Sequence, residues 1–309
     1  MNKFTISGTS DRFWNLPAFI KFLSEHQAQS IEIDLDPEAV CLQNLGVYQL
    51  LDCFEFEQVV INTWNPFEQH LTYKINFKGN NFWFAQIANI DPELHSWNLD
   101  KRFLCFYHRP TAARLGLAAY LHNKHKESTV LHFSAKDSLD FELDKLLQWD
   151  RSTASMTASM ISELPILLGS DAGYTKFNGY VYSDPLTDLY KDILVDVVVE
   201  SHVAGNTFFP TEKTVRPMLL KKPFIMFGSR NYLEHMRQMG FRTFADFWNE
   251  DYDGYEAADR LHRMQQLIDS IASMPINQLE SMYWDMQYTL DHNYNLLMTQ
   301  TYTNKVAPL

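Results

Sequence analysis

The stretch 197–228, VVVESHVAGNTFFPTEKTVRPMLLKKPFIMFG, contains two apolar runs that are joined by a polar loop and a helix-like segment. The first run ends at Glu200, and the second ends at Gly228. Short apolar runs bounded by turn residues are typical of buried strands, and a helix between two parallel strands forms a βαβ unit. The stretch therefore predicts an α/β fold.

The same alternation extends to both sides of this stretch, as expected for α/β layering. Predicted strands cover 4–7, 30–35, 59–62, 102–107, 129–133, 196–199 and 224–227, with a hairpin of 71–77 and 82–87 across Gly79-Asn80. Predicted helices cover 16–26, 45–54, 111–122, 212–220 and 232–239, the last closed by Gly240. Residues 150–180 are rich in Ser, Thr, Gly and Ala, which predicts a loop with at most short helices.

The C-terminal part is mostly helical, and Pro275 divides it into helices over 257–273 and 277–299. Leu279, Met282, Met286 and Leu290 have helical spacing, which indicates a stripe that packs on the core. We expect an α/β domain over 1–98, a second over 99–273, and a C-terminal helical tail over 274–309 that packs back across the domains.

Composition limits the possible functions. The chain has 309 residues, 46% hydrophobic and 14% aromatic, with a formal net charge of −12. An acidic total argues against a non-specific nucleic-acid binder. Cys41, Cys53 and Cys105 are an odd, widely spaced set, which predicts reduced thiols. No apolar run approaches the roughly 20 residues of a membrane span. We therefore expect a cytoplasmic protein without a membrane span.

Thr211-Glu212-Lys213 stands where the helix of the opening stretch begins. Thr211 is placed to be the N-cap, because its hydroxyl can accept a backbone N–H two or three residues further on. The positive charge of Lys213 is unfavourable at a helix N-terminus, because that end of the helix dipole is also positive. A lysine at this position is useful if a phosphate also binds there. Glu212 could accept hydrogen bonds from a ribose. The alternative is an ordinary solvated first turn. Pro217 interrupts the helical run.

These residues resemble the donor domain of fucosyltransferase-like glycosyltransferases of the GT-B architecture. The matching features are Glu200-Ser201 after a strand, TEK at the start of a helix, and PFI in a strand that ends at Gly228. FLCFYHRPTAARLGLAAYL (103–121) resembles the opening βα unit of that domain. The order EKT, PFI, GFRTF and an acidic YD segment also resembles uncharacterised glycosyltransferase-like proteins of phages and marine bacteria. The resemblance covers about 101–260.

The resemblance implies two Rossmann-like βα domains that face a cleft, with the acceptor side in 1–98 and the nucleotide-sugar donor in 99–273. It implies a hexosyl- or pentosyltransferase that needs no metal or other cofactor and uses a nucleotide diphosphate-sugar as co-substrate. The acceptor would be a glycan or a hydroxymethylated base of phage DNA, in the host cytoplasm if a phage encodes the protein. The implied donor contacts are Arg114 (with Arg109 as the nearby alternative), Glu200, Ser201, Thr211, Glu212 and Lys213.

An inverting transfer also needs a carboxylate as general base. Asp11 and Glu38 are the candidates, because each follows a predicted strand of the first domain and open α/β sheets place ligands at strand ends. For both, loop solvation or capping is the alternative.

Other patterns have simpler explanations. Asp34 and Asp36 form a D-x-D pair, which is frequent in loops and only occasionally a metal site. His122 and His125 lack a clear third ligand and are expected to be solvated or to cap a helix. Four aromatic residues near predicted loops are expected to pack in the core or between domains rather than stack on a sugar: Trp64, Phe67, Trp83 and Trp97. Motifs of dehydrogenases, P-loop NTPases and α/β-hydrolases are absent from the sequence.

Overall fold

A computed structural model describes residues 1–9, 12–36, 41–78, 101–134, 139–168 and 189–306, and their side chains except those of Thr9, Arg12 and 300–306. Its strands form two parallel four-stranded sheets, each with its own hydrophobic core. The predicted α/β architecture of two βα units with C-terminal helices is confirmed. None of the helices in the described segments is both long and apolar enough to cross a membrane.

The first sheet is built from strands in sequential order. Its elements are β1 (Asn2–Ile6), β2 (Gly8–Thr9), β3 (Arg12–Phe13), α1 (Leu16–Glu25), β4 (Ser30–Leu35), α2 (Val47–Leu51), β5 (Gln58–Thr63) and β6 (Lys74–Phe77). The order β1-β4-β5-β6 is parallel throughout, and β2 pairs only with β3. In β4 buried and partly exposed residues alternate, so one face of the strand faces the core.

The second sheet is more deeply buried and has a different strand order. Its elements are β7 (Lys101–Tyr107), α3 (Ala112–Lys124), β8 (Thr129–Phe133), α4 (Leu139–Trp149), α5 (Arg151–Ile161), β9 (Ile193–Val199), α6 (Glu212–Leu219), β10 (Phe224–Phe227) and α7 (Tyr232–Gln238). The order is β10-β9-β7-β8. All seven residues of β9 are buried, as expected for an inner parallel strand covered on both faces.

Helix α5 corrects the prediction that 150–180 is loop-like with at most short helices. Asp150 caps this eleven-residue helix by accepting a hydrogen bond from the Ser152 backbone N–H at 2.9 Å. Its small residues form a packing face, in which Thr153 accepts a hydrogen bond from Gln265 Nε2 at 2.8 Å. Close packing of helices, and not a loop, explains the small residues as far as 161. Residues 169–188 lie outside the described segments.

Smaller differences concern the ends of predicted elements. The helix predicted over 45–54 is only Val47–Leu51, preceded by Gly46 at φ +69°. β6 matches the end of the predicted strand 71–77, but it pairs in parallel with β5, and 82–87 lies outside the described segments. Gly240, at φ +92°, follows α7 as predicted for a C-terminal glycine.

The remaining helices are α8 (Ala257–Ser273), α9 (Ile276–Asp285) and α10 (Gln287–Val306). The single helix predicted over 277–299 is therefore two helices that meet at Met286. Leu279, Met286 and Leu290 are buried in the second core and Met282 packs against it, which confirms the predicted core stripe. Lys221 Nζ, at the end of α6, lies 2.8 Å from Asp291 Oδ1 of α10. The tail thus packs on the second unit.

The two units touch at the loop 201–210 between β9 and α6. Asn65, in the loop after β5, donates its side-chain N–H to the Asn206 carbonyl at 3.1 Å. Phe67 stacks on His235 with ring centroids 4.1 Å apart and meets Phe208 edge-on at 5.3 Å. Packing between domains, expected for this group of aromatics, is thus confirmed for Phe67.

Candidate functional site

The strand order places a topological switch point between β7 and β9. The chain leaves β7 through α3 to reach β8 on one side, and leaves β9 through α6 to reach β10 on the other. Connections that diverge in this way open a crevice at the carboxyl ends of the two strands, where α/β sheets bind ligands. The loop 108–111 after β7 and the loop 200–211 after β9 form its walls.

Thr211 is the N-cap of α6, as predicted. Its backbone is extended, and its Oγ1 accepts hydrogen bonds from the Lys213 backbone N–H at 3.3 Å and from Lys213 Nζ at 3.1 Å. The same hydroxyl donates to Glu200 at 2.6 Å. Thr211 therefore fixes both the start of the helix and the position of the lysine side chain.

Glu200 is fully buried beneath this helix start. One carboxylate oxygen accepts from the Thr211 N–H at 2.9 Å, from the Thr214 hydroxyl at 2.5 Å and from the Tyr232 hydroxyl at 3.3 Å. The other accepts from Thr211 Oγ1 and from the Ser201 N–H. In this arrangement Glu200 anchors the loop and the helix, and direct contact with a sugar or ribose stays a prediction. Ser201, which follows, is exposed.

Glu212 and Lys213 form an ion pair at the positive end of α6. Lys213 Nζ lies 2.5 Å from Glu212 Oε1, and the two side chains are 19% and 28% exposed. Burial alone would raise the pKa of Glu212, but Lys213, the backbone N–H of Glu212 and Arg216 together hold it below its ordinary value. The Glu212 carboxylate thus stands where an anionic ligand would benefit from the helix dipole.

Arg114, which the resemblance favours for the diphosphate, is buried behind the loop 108–111. Its side chain is 3% exposed, and its guanidinium donates to the Val199 carbonyl, at 3.0 Å from Nη2, and to the Arg109 carbonyl at 3.1 Å. Burial lowers the pKa of Arg114, and nearby Glu200 and Glu212 oppose that effect. Arg114 therefore ties the end of β9 to the loop after β7. Arg109, the alternative, is exposed.

His108 was missed by the sequence analysis, although it directly follows β7. Its Nδ1 lies 2.8 Å from Ser134 Oγ, just after the neighbouring strand β8. Burial, followed by the charges of His132, Arg216, Arg114 and Lys213, lowers the pKa of His108 to about 4. The positive charges of Lys213 and Arg114 therefore both disfavour the protonated form of His108. The position of His108 directly after a predicted buried strand was the feature of the sequence that could have identified it as a site residue.

The other candidates lie elsewhere. Asp11, Glu38, Trp83 and Trp97 fall outside the described segments. Asp34 pairs with Lys3 at 2.9 Å and with Lys78 at 3.3 Å.

The two histidines of the sequence analysis also have protein partners. His122 Nε2 lies 3.1 Å from Glu163, and His125 Nε2 lies 2.7 Å from Asp269. Within the described segments, no three His, Cys, Asp or Glu side chains are grouped so that they could hold a metal ion.

Comparisons with known proteins yield one structural likeness. No protein-family model matches the chain, and no curated protein matches it. A crystal structure of a glycosyltransferase from Rickettsia africae ESF-5 aligns with 94% of this chain and 79% of that chain, at 10% sequence identity and a TM-score of 0.36. At that TM-score the likeness is too weak to assign a fold family or an activity.

Proposed function

We propose that this chain is a GT-B-type glycosyltransferase that transfers a sugar from a nucleotide diphosphate-sugar to a hydroxyl acceptor. One observation carries the proposal: the switch-point crevice is bordered by the N-terminus of α6 with Lys213 and by the loop of Arg109, and Arg114 ties the two walls together. A helix N-terminus and basic side chains at such a crevice suit a diphosphate. The TEK, PFI and GFRTF motifs support the same assignment.

In this proposal Lys213 and Arg109 bind the phosphates. Lys213 has three N–H donors, of which Thr211 and Glu212 accept two, so one remains for a phosphate oxygen. Arg109, on the opposite wall, can present a bidentate guanidinium fork to the same diphosphate. Arg114 holds the two loops in place from behind.

The ion pair at the helix start suggests how the ribose is bound. When a diphosphate enters, Lys213 turns its ammonium from the Glu212 carboxylate toward the phosphate. The Glu212 carboxylate is then able to accept hydrogen bonds from the ribose hydroxyls. Ser201, exposed beside the buried Glu200, faces the sugar in this arrangement.

The reaction places charge where these groups lie. The acceptor oxygen bonds to the anomeric carbon, the bond from that carbon to the phosphate oxygen breaks, and the nucleoside diphosphate leaves with the electron pair. Lys213, Arg109 and the helix N-terminus stabilise the growing negative charge, a role that a metal fills in other enzymes. The acceptor proton passes to a carboxylate of the first unit, for which Asp11 and Glu38 remain the candidates.

The acceptor is a glycan or a hydroxymethylated base of phage DNA. The formal net charge of −12 favours the glycan, because phosphate backbones attract basic surfaces.

Thermal unfolding with a panel of uridine, guanosine, cytidine and adenosine diphosphate sugars tests the proposal. A ligand at a hundred times its Kd stabilises the native state by about 2.7 kcal/mol, which corresponds to a rise in Tm of several degrees. Lys213→Ala should remove the rise, whereas Lys21→Ala, at an exposed position of α1, should keep it. If no sugar nucleotide raises Tm, the alternative is a non-catalytic binding or structural protein with a related fold.

A further inference from the structure

A groove of about 660 Å³ lies on the first unit, at the edge of the sheet where β5 and β6 begin. One wall is the segment 52–59, which follows α2 and enters β5, and the other is 72–74, which enters β6. The Tyr73 hydroxyl donates to Asp52 and so joins the two walls. The volume is within the range of about 300–1,000 Å³ that is typical of ligand sites. The function proposed above gives this groove no role.

Aromatic side chains form the apolar part of the groove. Phe54 and Phe56 are half-buried, with ring centroids 6.3 Å apart, and both pack against the core of the first unit. Tyr73, on the other wall, is half-buried as well and packs against the same core. The alkyl stem of a long basic side chain can cover such a surface, and an aromatic face attracts its cationic end. The apolar part of the groove therefore suits arginine or lysine.

The charged side chains of the groove are mostly acidic. Three carboxylates and one ammonium line it, and all four residues are exposed: Asp52, Glu55, Glu57 and Lys74. Glu57 accepts a hydrogen bond from the Ser30 hydroxyl at 2.8 Å, and Asp52 accepts from Tyr73. A carboxylate has about four acceptor sites, so both can accept further hydrogen bonds. The excess of negative charge favours a cationic ligand.

We propose that this groove binds an arginine-bearing segment of a partner protein. The alkyl stem of the arginine lies against Phe54 and Phe56, and its guanidinium donates to the carboxylates of Glu55 and Glu57. A guanidinium fork fits a carboxylate with two parallel hydrogen bonds and also packs on aromatic faces, which favours arginine over lysine. The carboxylates are spread over 52–57, so a peptide with two arginines can contact more of them at once than a small amine can.

An NMR titration of the ¹⁵N-labelled full chain with the peptide acetyl-Gly-Arg-Leu-Arg-Gly-amide tests the proposal. We expect saturable shifts confined to residues in and around 52–59 and 72–74, with a Kd below about 1 mM, and binding that weakens as salt screens the carboxylates. The matched peptide with citrulline in place of both arginines keeps the shape but has no charge. It should bind at least about fivefold more weakly.

Two double variants locate the binding site. Glu55→Gln with Glu57→Gln should weaken binding of the arginine peptide by about fivefold or more. Glu25→Gln with Glu280→Gln, at exposed positions of α1 and α9, changes the net charge of the chain by the same amount. This control pair should leave the affinity of the peptide within about twofold of the natural chain, because it leaves the groove unchanged.

Several outcomes would overturn the proposal. Failure of the arginine peptide to bind would do so, as would equal binding of the citrulline peptide or an equal loss of affinity in both double variants. If spermine binds the groove as tightly as the peptide, the site belongs to a small amine. If sedimentation velocity shows that the chain self-associates, and Glu55→Gln with Glu57→Gln abolishes this, the occupant is a second copy of the chain. None of these results bears on the glycosyltransferase proposal, which concerns the second unit's crevice.

Discussion

Replacement of Glu200 by glutamine tests how much the buried carboxylate contributes to the second unit. Glu200→Gln keeps the shape of the side chain but replaces one acceptor oxygen by an NH₂ donor. The oxygen with fewer partners accepts from Thr211 Oγ1 and the Ser201 N–H. The Thr211 hydroxyl already accepts two hydrogen bonds from Lys213, so it is poorly placed to accept a third from the new amide.

The cost follows from these contacts. At least one buried donor loses its acceptor, which costs about 1–3 kcal/mol, and the remaining hydrogen bonds lose the strength that a charged acceptor gives them. We therefore expect the free energy of unfolding to fall by about 3 kcal/mol. Glu212→Gln is the matched control, because it makes the same change in a partly exposed ion pair and should cost less than about 1 kcal/mol.

Equilibrium urea unfolding of both variants, followed by far-UV circular dichroism and tryptophan fluorescence, measures the difference. An unchanged dependence on urea concentration would show that the native state has the same extent of buried surface. If Glu200→Gln loses less than 1 kcal/mol, or no more than Glu212→Gln, the carboxylate is not the anchor of α6.

Two further predictions concern other parts of the second unit. Lys222 packs over the Tyr283 ring, and burial lowers its pKa to about 7 from an ordinary value of 10.5. Between these two pH values the unfolded chain therefore binds more protons than the folded chain. Stability should therefore rise with pH across that window, by up to about 5 kcal/mol, and Lys222→Met should remove the rise; parallel pH profiles in urea unfolding would contradict this. Gly205 has φ +60°, and a Cβ there would lie 2.2 Å from Cys41 Sγ, so Gly205→Ala should destabilise the chain by about 1–3 kcal/mol. Cys41→Ala should recover part of that loss in a double-mutant cycle followed by Tm, and strict additivity would show that the contact is unimportant.

Local sequence patterns predicted most of the sheet framework and the start of α6. Buried parallel strands such as β9 are continuous apolar runs, and the capping role of Thr211 depends on residues within one turn of the helix. α5 was not predicted, because its small residues suit both loops and closely packed helices. Packing contacts distinguish the two, among them the hydrogen bond between Thr153 and Gln265, which lies 112 residues away.

The roles of the site residues depended on distant contacts. The partners of Glu200 include Thr214 and Tyr232, which lie 14 and 32 residues further along the chain, so its burial could not be inferred from the pair Glu200-Ser201. The sequence alone does not show which of Arg114 and Arg109 is buried. Arg114 is buried because its guanidinium donates to the carbonyl of Val199, which the pairing of β9 with β7 brings near it, whereas Arg109 is exposed.

The loop 201–210 has two attachments, since it runs from Glu200 to the cap of α6 and also receives the hydrogen bond from Asn65 of the first unit. A molecule that binds the first unit and displaces Asn65 would therefore change how readily the helix start accepts the phosphate proposed to bind there. By reciprocity, occupation of the helix start would change the affinity of the first unit for its own ligand by the same factor. The two substrates of such an enzyme would bind cooperatively, even if they never touched before the reaction.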